Sequence, residues 1–268
     1  MNIRITGTGC SIPNNIELNS SFSKHFFYDA NGNVIDNSNE VVIEKFKAIT
    51  GIEKRRYIND DQTVVDIAIE AAKKTILDAK LDQESIDYII VAHNVGDITL
   101  NSNQVNTLPS LASKVKAGLN IKSPDCVAYD ILFGCPGWVE GVIQATAFIK
   151  AGMAKKCLVL GADTLSRVLD HSDRDSMIYA DGAGASMIEA STGKGGILSH
   201  KTVTYTSEGE ADFIFYGPPN DKGKGTKYIK MHGRKVYEFA LSKVPLALKK
   251  CLETSGKSID CLLYTSPS

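Results

Sequence analysis

Cys135 stands in the run Val127-Ala128-Tyr129-Asp130-Ile131-Leu132-Phe133-Gly134-Cys135-Pro136-Gly137-Trp138. The run reads as a buried strand, a tight turn and the start of a helix, with the thiol at the corner. Pro136 suits the first helical position, where its missing N–H would be unbonded in any case. Gly134 and Gly137 permit backbone angles and close approaches that a Cβ would obstruct. The helix that follows, with Trp138, Val139, Val142, Ile143, Ala145, Ala147, Phe148 and Ile149, is apolar nearly all round, so it is expected to be buried. A thiol at the N-terminus of such a helix meets unpaired N–H groups and the positive end of the dipole, which favour the nucleophilic thiolate. A cysteine is more often a small core residue than a reagent. The Gly-Cys-Pro-Gly elbow turns those odds toward a nucleophile.

The other candidate groups carry less. Six cysteines (Cys10, Cys126, Cys135, Cys157, Cys251, Cys261) show neither a C-x-x-C pair nor metal-ligand spacing with the five histidines, and several sit in apolar patterns. Reduced thiols of a cytosolic protein fit better than disulfides. Among the histidines, His93 ends a strand on the side of the site loops and His232 begins a helix, while His25, His171 and His200 fall in loops or at a strand start. Each reads equally as a structural or surface histidine. Lys+Arg 30 against Asp+Glu 31 leaves a net charge of −1, without the basic excess of a nucleic-acid binder. Met1-Asn2-Ile3-Arg4 lacks the apolar stretch of a signal peptide, and no apolar run reaches about 18 residues. The chain reads as soluble and cytoplasmic, without a membrane partner.

The elements that position Cys135 alternate between strand and helix. A strand covers residues 3–9, and 14–39 reads as an irregular surface excursion. A short helix covers 40–49 before Gly51, and a strong amphipathic helix covers 64–80. Residues 86–93 form a continuous apolar strand of the buried parallel kind. A polar loop (94–106) and a helix (109–119) precede the Cys135 strand. Further strands are expected at 157–161, 183–189 and 197–205, and a long helix over 233–253 with Pro245 as a bend. The alternation argues for an α/β fold with a largely parallel core.

One echo suggests duplication. A helix, a turn and Ser85-Ile86-Asp87-Tyr88-Ile89-Ile90-Val91 recur late as a helix, a turn and Ser258-Ile259-Asp260-Cys261-Leu262-Leu263-Tyr264. Residues 1–190 then form a first half and 195–268 an incomplete second half. The chain is expected to stop mid-fold, and Thr265-Ser266-Pro267-Ser268 fits poorly as the end of a buried strand.

Taken together, several motifs resemble ketoacyl-acyl-carrier-protein synthase III. They are the Cys135 elbow, Ser166-Arg167 with Asp173-Arg174, Tyr179-Ala180-Asp181-Gly182-Ala183-Gly184-Ala185, and Lys230-Met231-His232-Gly233-Arg234 before a helix. The resemblance runs in order from Ile3 to about Leu263. It implies the thiolase-like fold, a duplicated α-β-α-β-α layered sandwich, as a homodimer and with no cofactor, acyl-CoA being a substrate. Cys135 would take an acyl group from acyl-CoA, with its own N–H in the oxyanion hole, and pass it to a carbanion from malonyl-acyl carrier protein. The family's decarboxylating histidine and asparagine lie past the last strand present, so the polypeptide as it stands is expected to be acylated without condensing.

By the same resemblance, Arg174 flanks the adenine and phosphates of CoA, although the tryptophan and arginine expected near Lys45-Phe46 and Ile49 are not there. Leu108 and Tyr237 border the substrate pocket, Leu108 by closing that of the neighbouring subunit. Lys230, Arg234 and Lys235 form a basic cluster that either meets an acidic carrier protein or is a solvated helix start. Two other functions stay open: an inactive acyl-binding or dimer-partner module, and a thiolase-fold cysteine acyltransferase with another acceptor.

Overall fold

Ile89, Ile90 and Val91 are fully buried, because the apolar run they belong to is covered on both faces and so becomes the centre of the molecule. The computed structural model describes residues 2–102, 104–223 and 225–262. In order these form β1 (Asn2–Ser11), β2 (Asn15–Leu18), α1 (Asn39–Thr50), β3 (Lys54–Tyr57), α2 (Val64–Ala79), β4 (Tyr88–His93), β5 (Asp97–Ile98), β6 (Val105–Asn106), α3 (Leu111–Gly118) and β7 (Val127–Leu132). They continue with α4 (Gly137–Lys150), β8 (Lys156–Thr164), β9 (Asp181–Ser191), β10 (Ile214–Gly217), β11 (Tyr228–Met231) and α5 (Gly233–Ser255).

The main sheet has the order β1-β9-β8-β4-β7. β7, β4 and β8 run parallel, whereas β9 and β1 are antiparallel to their neighbours. The core is therefore mixed rather than largely parallel. The connection from β8 to β9 holds only two short 3-10 turns, and without a crossover helix a strand returns antiparallel.

Alternation along the strands feeds two cores. Ile89, Val91, Leu158 and Leu160 face α2 and α3. Ile90, Ala92, Cys157 and Val159 face α4. α2 starts where expected, its entry fixed by the Asp66 carboxylate, which accepts from the Thr63 N–H at 2.8 Å and from its hydroxyl at 3.0 Å. α1 ends on Gly51 at φ 70°, whose N–H donates to the Lys47 carbonyl.

Five expectations change. The 14–39 excursion contains β2, paired with β3, and buries Phe22 and Phe27 beside Val42 and Met177; two spaced aromatics were enough to anchor it. The 94–106 loop holds the β5–β6 hairpin with Ile98 buried. Residues 197–205 alternate but form no strand: the Ile197 N–H donates to the Ile3 carbonyl at 2.8 Å, and no ladder of bonds follows. α4 is not enclosed: Val139 is exposed, and so is Trp138 where it borders the cleft described below. The late echo is a 3-10 turn at Ile259–Cys261 rather than the start of a strand, and the rest of it, from Leu263, lies outside the described residues.

α5 runs unbroken through Pro245 and has no buried residue. Its Phe239 ring meets Tyr205 and Phe213 edge-on.

Candidate active site

β7 ends at Leu132, and four residues carry the chain into α4. Gly134 takes φ 73°, which a Cβ would strain, and its carbonyl accepts from the Gly137 N–H at 2.9 Å. Pro136 caps α4 rather than opening it, so the helix begins one residue later, at Gly137. A Cβ on Gly137 would lie 2.8 Å from that of Ala92; the bare backbone lets α4 press directly on β4. This contact holds Cys135 at the carboxyl ends of the parallel strands, where open α/β sheets bind ligands. The thiol is exposed, and among the described residues the Cys135 N–H makes no hydrogen bond.

Cys135 opens on a cleft of about 310 Å³ whose walls include Asn94, Trp138, Asp163, Leu165 and Ala180. Asn94 and Asp163 close its floor, the Asp163 carboxylate accepting from the Asn94 N–H at 2.8 Å and from its side-chain amide at 2.7 Å. Burial pushes the Asp163 carboxyl above its ordinary value against these bonds. Burial also pushes the Tyr216 phenol up to about 12, with the Asp163 carboxylate adding to it.

His93 does not face this cleft. Its Nε2 lies 3.3 Å from Asp130, on the opposite side of the sheet from Asn94. Asp130 accepts from the Leu111 and Ala112 N–H groups at 2.7 Å each, capping α3. Burial raises the Asp130 carboxyl, but the bonds from His93, Ala112 and Leu111 together hold it below its ordinary value. His25 and His171 pack ring to ring and His232 lies against Phe215, so these three have structural contacts away from the thiol.

The remaining expected site residues do not line the cleft. Arg174 is exposed at the head of a 3-10 turn (Arg174–Ile178), its Nε 3.9 Å from Asp175. Leu108 and Tyr237 are exposed, at 84% and 65%.

Lys230 leaves the basic cluster altogether. It is buried, at 6% exposed, and paired with Asp170 and Asp173, because carboxylates from the β8–β9 connection come to it. Arg234 and Lys235 stay on the α5 surface, Arg234 paired with Glu238 at 2.8 Å and Lys235 over the Phe213 ring. Sequence reading passed over Asn94 and Asp163. Their signal was a polar residue directly after or within the C-terminal end of an apolar strand.

Among the described residues no cluster of His, Cys, Asp and Glu could hold a metal ion, and no helix is long and apolar enough to cross a membrane.

A mixed sheet between α2 and α3 on one face and α4 on the other, with a cysteine at the strand-to-helix corner, is the layout of a thiolase-like acyltransferase. The profile of 3-oxoacyl-[acyl-carrier-protein] synthase III matches residues 129–206. β-Ketoacyl-[acyl-carrier-protein] synthase III 1 of Vibrio parahaemolyticus is 34% identical over 94% of this chain and 72% of its own. The Acholeplasma laidlawii synthase III is 35% identical, over 99% and 75%. The crystal structure of the Aquifex aeolicus 3-oxoacyl-[acyl-carrier-protein] synthase III superposes with a TM-score of 0.78 at 29% identity, over 96% of this chain and 73% of that one. The chain belongs to the β-ketoacyl-[acyl-carrier-protein] synthase III family.

Proposed function

We propose that Cys135 is the acyl-accepting nucleophile of a β-ketoacyl-acyl-carrier-protein synthase acting in fatty acid biosynthesis. The observation that carries the assignment is the exposed thiol at the α4 corner, opening on a cleft at the carboxyl ends of β4 and β8. The Cys135 sulfur attacks the thioester carbonyl of acyl-CoA, the carbonyl oxygen gains charge beside the unbonded Cys135 N–H, and the CoA thiolate leaves as the enzyme thioester forms. That thioester is the electrophile for the carbanion left when malonyl-acyl carrier protein loses CO2. The chemistry calls for no cofactor.

Arg174, exposed beside Asp175, meets the nucleotide end of CoA. Arg234 and Lys235 are the cations left to meet an acidic carrier protein. Leu108, exposed far beyond the norm for a leucine, closes the pocket of a second copy in a cytoplasmic homodimer, and Tyr237 borders the substrate path. Residues 1–190 and 195–268 act as the two halves of the fold.

Incubation with acetyl-CoA followed by intact-protein mass spectrometry tests the nucleophile. One acetyl group mapping to Cys135 and lost in Cys135→Ser is expected. Acetylation elsewhere, or none, would sink the assignment.

A further inference from the structure

We infer that Lys230 is a positioning residue for the CoA end of the site, acting through Asp173 on the turn that carries Arg174; the inference rests on the reading of Arg174 given above. A buried ammonium is tolerated only when its charge and its donors are met. Lys230 meets Asp170, Asp173 at 3.2 Å and the Asn220 side-chain carbonyl at 2.8 Å.

Asp173 divides its two oxygens between two tasks. Oδ2 takes the ammonium, while Oδ1 accepts the Asp175 N–H at 3.0 Å and so caps the turn whose first residue is Arg174. Asp170 is filled by the Ser172 N–H at 2.9 Å, the Ser172 hydroxyl at 2.6 Å and the Asn220 N–H at 2.8 Å. Asn220 in turn donates to the Tyr28 carbonyl at 3.0 Å, and the Tyr28 N–H donates to the Ser172 carbonyl at 2.9 Å. One ammonium on β11 thus joins the β8–β9 connection to the loop at Asn220, and Asn220 carries the tie on to Tyr28. Without it, two carboxylates three positions apart would face each other poorly solvated, and the repulsion would draw Asp173 away from its cap. The Cys135 corner is held by the close approach of Gly137 to Ala92 and by the Gly134 carbonyl, contacts in which this network takes no part.

Calorimetric titration with CoA, on wild type, Arg174→Ala, Lys230→Met and the double variant, reads this coupling. Arg174→Ala is expected to weaken binding roughly tenfold, about 1.4 kcal/mol, and Lys230→Met several-fold. The double variant should bind no more weakly than Arg174→Ala alone, since the two act on one contact. The rate at which iodoacetamide alkylates Cys135 should stay at the wild-type value throughout.

Wild-type affinity in Lys230→Met, or losses that multiply in the double variant, would overturn the inference and leave Lys230 a stability residue. Wild-type affinity in Arg174→Ala would overturn the Arg174 reading and the inference with it. If Lys230→Met melts below the assay temperature, Asp173→Asn replaces it. That variant keeps an acceptor for the cap but turns an NH2 toward the ammonium, and it should show the same non-additivity with Arg174→Ala; multiplied losses there would equally overturn the inference.

Discussion

Asn94 and Asp163 are joined twice, by the Asn94 N–H to Oδ1 at 2.8 Å and by its side-chain amide to Oδ2 at 2.7 Å. The two residues sit at the carboxyl ends of adjacent parallel strands. The pair of hydrogen bonds therefore locks β4 to β8 at the floor of the Cys135 cleft and turns the Asn94 side-chain Oδ1 toward Gly134.

Burial outweighs these bonds and raises the Asp163 carboxyl above 3.8. The folded state then holds this proton more tightly than the unfolded chain does, so the contribution of Asp163 is full below 3.8 and is lost as pH rises through its raised value. Asn94→Ala removes a partner of the charged form and should cost about 1–3 kcal/mol at neutral pH, with a smaller loss in acid. Urea unfolding of the two proteins across pH checks it, and a loss that grows toward acid would contradict the sign.

Five of the cysteines differ sharply in access. Cys10 and Cys135 are exposed, Cys251 is half-buried, and Cys126 and Cys157 are buried. Burial raises both buried thiols, Cys157 to about 12. Substoichiometric iodoacetamide with peptide mapping should label Cys135 ahead of Cys10, because only Cys135 stands at the start of a long helix, and Cys126 and Cys157 last. Preferential labelling of Cys10 would remove the case for a special environment at the corner.

Gly137→Ala puts a methyl group 2.8 Å from the Ala92 Cβ and 3.6 Å from that of Phe133. The start of α4 must then lift from β4. A destabilisation of about 1–3 kcal/mol, typical of overpacking, is expected, with slower acetylation of Cys135 as the corner moves. Chemical denaturation and the intact-mass assay measure the two effects, and a more stable variant would show that helix propensity outweighs the contact.

The Cys135 corner was legible because everything that makes it lies in one short run: a strand, a glycine able to take φ 73°, a capping proline and an apolar helix, although that strand, expected to be buried, is β7 at the sheet edge with Val127 and Leu132 exposed. The same holds for α2, whose cap and periodicity are local, and for the buried strand β4. Even there a residue of register escaped, since Pro136 can open or cap a helix and only the packed backbone chooses.

Lys230 shows where local reading stops. In sequence it belongs to a run with Arg234 and Lys235 and reads as a surface cation, solvated or meeting an acidic carrier protein, yet its partners lie 57 and 60 residues away. Residues 197–205 fail in the opposite sense: their alternation suits a strand, but a strand exists only where a neighbouring edge supplies the ladder. Asn94 and Asp163 likewise become a pair only when β4 and β8 are laid side by side. Turns, caps and amphipathic faces are stabilised by groups a few residues apart, so the sequence by itself determined them. Charge burial, strand pairing and the floor of the cleft depend on which distant segments meet, so the tertiary structure alone decided them.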